Sequence, residues 1–535
     1  MAKWGVLAVL GAAQFLMVLD QAVMNVAISQ LVADFDTTVT TIQAVIAFYA
    51  LVMAALMLTG GKLGDLLGRR RAFRIGLCIY GAGSALTAAS WNVPSLMLGW
   101  SILEGIGAAL VLPAMVALVA GNFRGNERGL AYAVLGGVAG AGIAVGPILG
   151  GWATTELSWR IVFVGEVVVA IGILIGTRLL QEPERPAATR LDWVGGLLSA
   201  TGLGVMVLGV LQASNWGWLQ PRSSPIEPFG FSLTPFVIAA GGLILVLFAS
   251  WERRRERRGE EPLVHLDLLR VPQLRSGISM LLAQNLILMG IFFTIPLFLQ
   301  IVQGLDALET GVRMLPTSAG LFFTALCGAA LAKRVPARTL VRAGLAITFV
   351  ATLLLLDTIE PDLDNTPFLV AMGVLGVGMG LIVSQLGNVV QSSVGDNERS
   401  EAGGLQNTAQ QLGSSLGTAL LGAIVITGLI GAFSGNIAAN PKIEGETEQQ
   451  VQVKISAGGS FVAPAEVEKS ATAAGLDPAT TEAVVSDYED AQLTALKTAL
   501  LVAALLSLAS LMATRHLPRV RFDELPQPAA AASAT

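Results

Sequence analysis

Fourteen stretches of this chain, most about 20 residues long, pass with almost no charge, and no other feature restricts the fold so severely. A helix of that length crosses the ~30 Å hydrocarbon layer of a bilayer. It also satisfies its own backbone hydrogen bonds there, which an isolated strand cannot do. The first six runs cover 5–28, 43–60, 73–90, 95–118, 129–153 and 161–179. Two follow at 193–213 and 234–251, and six more at 277–300, 312–332, 340–357, 368–390, 403–430 and 493–513. Only 13% of the 535 residues are charged, against roughly 25% in an ordinary soluble domain, and the mean hydropathy is +0.68. The expected fold is an all-α integral membrane protein with 14 transmembrane helices. The first run follows Lys3 as a signal peptide would. It is too long for one, carries Asp20 and Asn25, and heads a series of similar runs, so it reads as an uncleaved span.

Lys and Arg set the orientation. With the N-terminus in the cytoplasm, 26 of the 33 fall in inner segments and 7 in outer ones. Both termini are therefore expected in the cytoplasm of a multi-pass plasma-membrane protein. The only two cysteines, Cys78 and Cys327, lie in separate apolar runs and read as small buried residues rather than a disulfide or metal site. His265 and His516 both lie in charged segments outside the runs, which removes a histidine relay within the membrane. No nucleophile–base pair or phosphate-binding loop suggests an enzyme, and nothing calls for a cofactor, a metal or a nucleic acid.

A degenerate repeat divides the chain. GDLLGRRRAFRIGL, from Gly64, aligns with AKRVPARTLVRAGL, from Ala332, matching Arg70 with Arg338, Arg74 with Arg342 and Gly76 with Gly344. Residues 1–180 are read as one six-helix bundle, 181–260 as two linker helices and 261–515 as a second six-helix bundle. The second bundle includes an extracytoplasmic loop at 432–491, and 516–535 forms a cytoplasmic tail. Between Ser434 and Asp490 three lysines face ten carboxylates, and LDPATTEAVV within it suits a helix capped by Asp477 with Pro478 at its first position. The linker ERRRERRGEEPLVHLDLLR, from Glu252, is cytoplasmic and mixed in charge.

Three motifs carry mechanism. GKLGDLLGRRR, Gly61 to Arg71, lies in the turn between the second and third runs. Its glycines, Gly61 and Gly68 among them, allow a tight turn, and Asp65 can face a helix N-terminus or the Arg69, Arg70, Arg71 cluster. GIAVGPILGGW in the fifth run places Gly142, Gly146, Gly150 and Gly151 where a neighbouring helix can approach closely, with Pro147 bending the helix. In the first run, LDQAVMNVAI sets Asp20 about 15 residues, ~23 Å, from the cytoplasmic end. Met17 and Met24 lie on the same face of the helix, and an ionisable group at that depth is costly and functional by default.

The glycine–aspartate–arginine turn resembles the signature of the major facilitator superfamily, and two parallel six-helix halves are its layout. The fifth-run motif is similar to the element typical of its antiporters, and the first-run motif to that of drug/proton antiporters. DWVGGLLSATG and FLQIVQGLDALETGVRMLP extend the resemblance to the fourteen-span drug/proton antiporter family over nearly the whole chain. The resemblance implies two six-helix bundles plus two central helices, alternating access, export of small molecules in exchange for protons, and a latch role for the Gly61–Arg71 turn. Leu66 stands where an arginine usually follows the aspartate, which weakens that latch. Relatives carry R-x-x-Q-G-x-G in the fourth span, where SILEGIG gives Ser101 and Glu104; they carry asparagine where the sixth span has Glu166.

Asp20, Glu104 and Glu166 are thus the candidate proton- and cation-coupling residues, with no cation on the fourth span to offset them. Met17, Met24, Asn25, Trp100, Gln284 and Asn285 are candidates for a substrate cavity, Trp100 by a cation–π contact. The expected partners are a hydrophobic or amphipathic, cationic small molecule, protons and the lipid bilayer, with the chain acting as a monomer. A lipid or an endogenous metabolite is the alternative cargo, and a non-transporting scaffold or sensor the remaining one. In a background lacking Cys78 and Cys327, cysteines placed between Glu444 and Asp490 are expected to react with an impermeant thiol reagent on intact cells. Cysteines placed among Arg253–Arg258 are expected to stay unlabelled; labelling there reverses the orientation.

Overall fold

Apolar residues occupy nearly every position of the long runs, so periodicity alone does not say which face packs. Small residues decide it, because backbones approach where side chains are absent. The computed structural model describes residues 2–123, 126–182, 191–332, 334–361, 363–395, 398–440, 443 and 461–519. Among them are fourteen long helices and no strand. The first six are α1 (Ala2–Val26), α2 (Val39–Leu67), α3 (Arg69–Ala88), α4 (Val93–Asn122), α5 (Asn126–Glu156) and α6 (Trp159–Gly176). Two follow, α7 (Trp193–Trp216) and α8 (Thr234–Arg257). The rest are α9 (Pro272–Leu297), α10 (Ala307–Leu331), α11 (Ala337–Asp357), α12 (Asn365–Ser392), α13 (Arg399–Ala439) and α14 (Pro478–Ala513).

Twelve of the described helices are long and apolar enough to cross a membrane, by length and composition. The two that fall short are α3, whose first turns hold Arg69, Arg70, Arg71 and Arg74, and α10, which carries Arg313, Pro316, Thr317 and Ser318. Both pack as the others do. Cys78 and Cys327, expected to be buried, instead lie on the exposed surface of these two helices. On an apolar chain of this kind the outward surface accepts small apolar groups as readily as the core does.

The repeat seen in the sequence has a physical counterpart. A Cβ at Gly76 of α3 would stand 2.9 Å from the Gly107 carbonyl oxygen of α4, and one at Gly344 of α11 would stand 2.7 Å from the Gly378 carbonyl oxygen of α12. A second pair follows the same rule. Gly142 and Gly150 of α5 face Val18 and Val23 of α1, while Gly413 and Gly417 of α13 face the backbone of α9 at Leu282 and Leu286. Between the halves, α7 packs against both α2 and α13, through Ala47, Val210 and Ala419 and through Leu51, Leu203 and Val207. Helix α8 lies outside α7, largely exposed.

Polar contacts between the halves gather at the ends far from the Gly61–Arg71 turn. Gln300, in a π-helical turn after α9, accepts from the Ser29 hydroxyl at 2.7 Å and donates to the Val26 carbonyl at 2.8 Å. The Gln43 amide donates to the carbonyls of Thr418 and Ala419 at 3.0 and 3.1 Å, and Ser415 donates to the Ala47 carbonyl at 2.7 Å. At the same end Asp34 accepts from Trp159 Nε1 and Arg160 Nη1, each at 2.8 Å. Partial burial works against ionisation of Asp34, but these donors and Gln30 outweigh it and hold its carboxyl below the ordinary range.

The connection between α13 and α14 is shorter than the expected 432–491. Helices α13 and α14 run past the expected span ends at 430 and 493, leaving 440–477 to connect them, with a short helix at Pro464–Ala473. Asp477 caps α14, its Oδ1 accepting from the amides of Ala479 and Thr480 at 3.0 and 3.2 Å, with Pro478 at the first helical position. Hydroxyl and amide donors of Thr480 hold the Asp477 carboxyl below its ordinary range. Asn436 and Asn440 of α13 both reach Asp487 of α14, and Phe433 meets Tyr488 edge-on at 5.1 Å. The loop acids Glu444, Glu446 and Glu448, and the tail 520–535, lie outside the described residues.

The basic linker is folded rather than merely solvated. Glu252 is fully buried and accepts from the amides of Leu263 and Val264 at 2.7 and 3.2 Å. Asp192 accepts from Trp251 at 2.9 Å and pairs with Arg255 at 3.3 Å, while His265 Nδ1 stands 2.9 Å from Glu401 of α13.

Helix α10 meets α5 with backbone against backbone. A Cβ at Gly311 would strike the Pro147 carbonyl, and one at Gly151 would strike that of Ala307. Gly172, by contrast, has open space around it. Gly311→Leu is expected to abolish the monodisperse peak in size-exclusion chromatography, and Gly172→Leu to elute unchanged. A well-folded Gly311→Leu protein overturns the contact.

Candidate functional site

Asp20 lies on α1, Glu104 at the end of a π-helical segment of α4 (Met97–Glu104), and Glu166 on α6. The structure brings all three together: one carboxylate oxygen from each lies within 4.8 Å of the others. None is more than 2% exposed. Wider helical turns of the π type recur at functional sites because they re-aim side chains. Here the segment carries Trp100, Ser101 and Glu104, all buried. Close approach of α3 completes the geometry, since a Cβ at Gly83 would stand 2.7 Å from Glu104 Cγ.

Every acid is held by neutral donors. The Trp100 indole donates to Asp20 Oδ1 at 2.6 Å and the Thr87 hydroxyl to Glu104 Oε1 at 3.0 Å. Tyr80 and Ser84 donate to Glu166 Oε2 at 2.9 and 3.1 Å. No described Lys or Arg pairs with any of the three. Two unit charges 4.8 Å apart repel by about 3.5 kcal/mol at an effective dielectric constant near 20. Three such pairs sum to about 10 kcal/mol, as much as the whole stability of a typical domain. Three bare charges held so close are therefore costly.

Ser101, at the position of the arginine in relatives, donates to the Val45 carbonyl of α2 at 2.9 Å and takes no part in the cluster. Trp100 stacks on Tyr49 with centroids 4.4 Å apart and planes at 11°. One ring face and its N–H are thus occupied, which withdraws Trp100 from the expected cation–π contact in this state. Met17, Met24 and Asn25 are buried, Asn25 donating to the Gln21 carbonyl at 2.8 Å. Gln284 is buried on α9, and Asn285 beside it donates to the Leu281 carbonyl at 3.0 Å; neither joins the acids. Tyr80, Ser84 and Thr87, the donors on α3, and Tyr49, which stacks on Trp100, are not among the residues the sequence singles out. Tyr80, Ser84 and Thr87 stand at i, i+4 and i+7 in an otherwise apolar helix, a polar stripe that was there to be found.

In the basic turn, Gly68 at φ +95° joins α2 to α3, a conformation a side chain would strain. Arg69 pairs with Asp65 and donates to the Gly61 carbonyl at 3.0 Å. The Arg70 amide meets Glu182 at 3.2 Å, and Lys62 stands 3.9 Å from Glu261. The turn thus reaches the linker after α8 through Lys62. Asp65 faces the arginine cluster, the second of the two arrangements its spacing allows.

The glycine motif of α5 has two working faces. Gly142, Gly146 and Gly150 receive α1 at Val18, Ala22 and Val23, on either side of Asp20. Gly151 receives α10 at Ala307. Pro147 has no N–H, so the carbonyl four residues earlier, at Ile143, lacks its helical donor. Ser318 of α10 donates to it at 3.0 Å.

Comparison with known proteins gives the same architecture. The family profile described as Major Facilitator Superfamily matches residues 10–418. The puromycin resistance protein pur8 of Streptomyces alboniger is 34% identical over 82% of this chain and 85% of its own length. The multidrug efflux pump LfrA of Mycolicibacterium smegmatis is 30% identical over 79% and 80%. The crystal structure of a bacterial homolog of the human lysosomal transporter Spinster, inward-facing and unoccupied, superposes with a TM-score of 0.62 over 96% of this chain and 98% of that one, at 14% identity.

Leaving the Ile143 carbonyl without a partner costs about 1–3 kcal/mol. Ser318→Ala is expected to lower the unfolding temperature of the purified protein by a few degrees, and Ser318→Thr to restore most of it. An unchanged melting curve for Ser318→Ala removes the assigned role.

Proposed function

The chain belongs to the major facilitator superfamily, whose members are multi-pass membrane transporters, and we propose that it exports hydrophobic or amphipathic cationic compounds from the cell in exchange for protons. The observation that carries this reading is the cluster of three buried acids with no basic partner. Such a group accepts protons or a cation and rejects a state with neither. The membrane potential supplies ~2.3 kcal/mol per charge per 100 mV to drive the exchange. In this reading Asp20 is the main coupling site, and Glu104 and Glu166 tune it.

A groove of about 500 Å³ supports a hydrophobic cargo. It is lined by Trp4, Leu7, Gly11, Phe15, Val134 and Val138, between α1 and α5. Phe15, the groove residue nearest Asp20 along α1, lies five residues before it, about 7.5 Å along the helix. Relatives named for puromycin resistance and multidrug efflux favour antibiotics as the cargo class. We read all fourteen helices as spans, with both termini cytoplasmic. The repeat pairs α3 with α11 and α10 with α2, each partner being apolar enough to cross. Polar contacts gathered at the outer ends fit a state closed to the outside. The Gly61–Arg71 turn then serves the switch from the inner side, through Lys62 and the linker.

The test is drug-driven proton movement in inverted vesicles, comparing Asp20→Asn, Glu104→Gln and Glu166→Gln at matched abundance. Asp20→Asn is expected to lose exchange for every compound. The two glutamine variants are expected to retain exchange of monovalent cations and lose divalent or bulky ones. Proton exchange that persists in Asp20→Asn and vanishes in Glu104→Gln or Glu166→Gln overturns the assignment.

A further inference from the structure

Each acid of the cluster spends one oxygen on a neutral donor and leaves the other without a protein partner: Oδ2 of Asp20, Oε2 of Glu104 and Oε1 of Glu166. A fourth oxygen shares this condition. The hydroxyl of Tyr49, 1% exposed, makes no hydrogen bond of normal geometry and lies beside the Asp20 carboxyl. Buried polar groups in native proteins are overwhelmingly paired, so four orphaned oxygens at one place point to something they hold. The outer donors suit a metal site. Ligating carboxylates are held in orientation by just such second hydrogen bonds.

Space limits what the oxygens can hold. The acids are at most 2% exposed, and around them the backbones of α3 and α4 touch: a Cβ at Gly99 would stand 2.8 Å from the Thr87 amide, and one at Gly107 would stand 2.7 Å from Tyr80. An organic cation has no room there in this state, but a proton or a bare metal ion has. Carboxylate and hydroxyl oxygens suit a hard divalent cation such as Ca²⁺ or Mg²⁺, and one oxygen from each acid lies within 4.8 Å of the others.

We propose that Asp20, Glu104 and Glu166 form a binding site for a hard divalent cation, with the Tyr49 hydroxyl as a fourth oxygen. The proposal rests on reading the cluster as a cation site, and it does not require that the ion drive export.

Tb³⁺, a luminescent stand-in for Ca²⁺, tests it on the purified full chain. Trp100 touches Asp20, so exciting tryptophan is expected to give saturable Tb³⁺ emission that excess Ca²⁺ reverses. Glu104→Gln and Glu166→Gln are each expected to weaken apparent binding at least about tenfold; either variant that elutes like the parent carries the test. Trp100→Phe is expected to lose the emission while retaining binding of radioactive calcium. Absence of saturable emission, emission indifferent to Ca²⁺, or full emission from Trp100→Phe or Glu166→Gln each overturns the site. Drug-driven proton exchange measured in vesicles with a chelator present separates the two readings. If it persists while Tb³⁺ fails to bind, the exporter stands without the metal site.

Discussion

Backbone meeting backbone along α5 is the contact on which the rest of this structure depends. In a bilayer the hydrophobic effect does not drive helices together, because lipid is as apolar as leucine. Close packing and buried polar contacts must do so. Helix α5 meets α1 through Gly142, Gly146 and Gly150, and meets α10 through Gly151 and Gly311. The first face fixes Asp20 in depth and rotation; the second joins the two halves. Pro147 lies between the two faces, and the carbonyl whose helical donor it removes accepts from Ser318 of the other half. One short segment therefore couples the position of the deepest acid to the relation between the halves.

The same economy of space governs the acids. Glu104 reaches the cluster because α4 widens into a π segment and because Gly83 lets α3 lie close. Placing Ser101 at the family's arginine position removes a charge that would neutralise the site, and Ser101 turns to α2 instead. The site is buried, polar and, among the described residues, without a basic partner.

Much of this was legible in the sequence. Apolar runs located all fourteen helices, though α2 and α8 run on by seven and six residues and α13 and α14 by nine and fifteen, the last two where polar residues such as Asn436 and Asp487 pair across them. Gly76 and Gly344 foretold the repeated close approach. The three acids could be named as deep, but not as neighbours. Their meeting depends on a π turn, which leaves no mark in composition, and on glycines 83 and 99, which read as ordinary membrane glycines. The sequence offers Trp100 as a cation–π contact; the structure gives its N–H to Asp20 and one ring face to Tyr49.

The length of α13 has a mechanical meaning. Its 41 residues extend about 61 Å at 1.5 Å per residue, twice the ~30 Å of hydrocarbon. The end beyond the apolar span is stiffened by α14, through Asp487 and Tyr488. The lower part of α13 lies in the seam against α2, where Gln43 and Ser415 make their contacts. A rod anchored in the seam and projecting beyond it is a lever arm. A tilt of a few degrees between the halves would move its tip, at the end far from the Gly61–Arg71 turn, by a few ångströms.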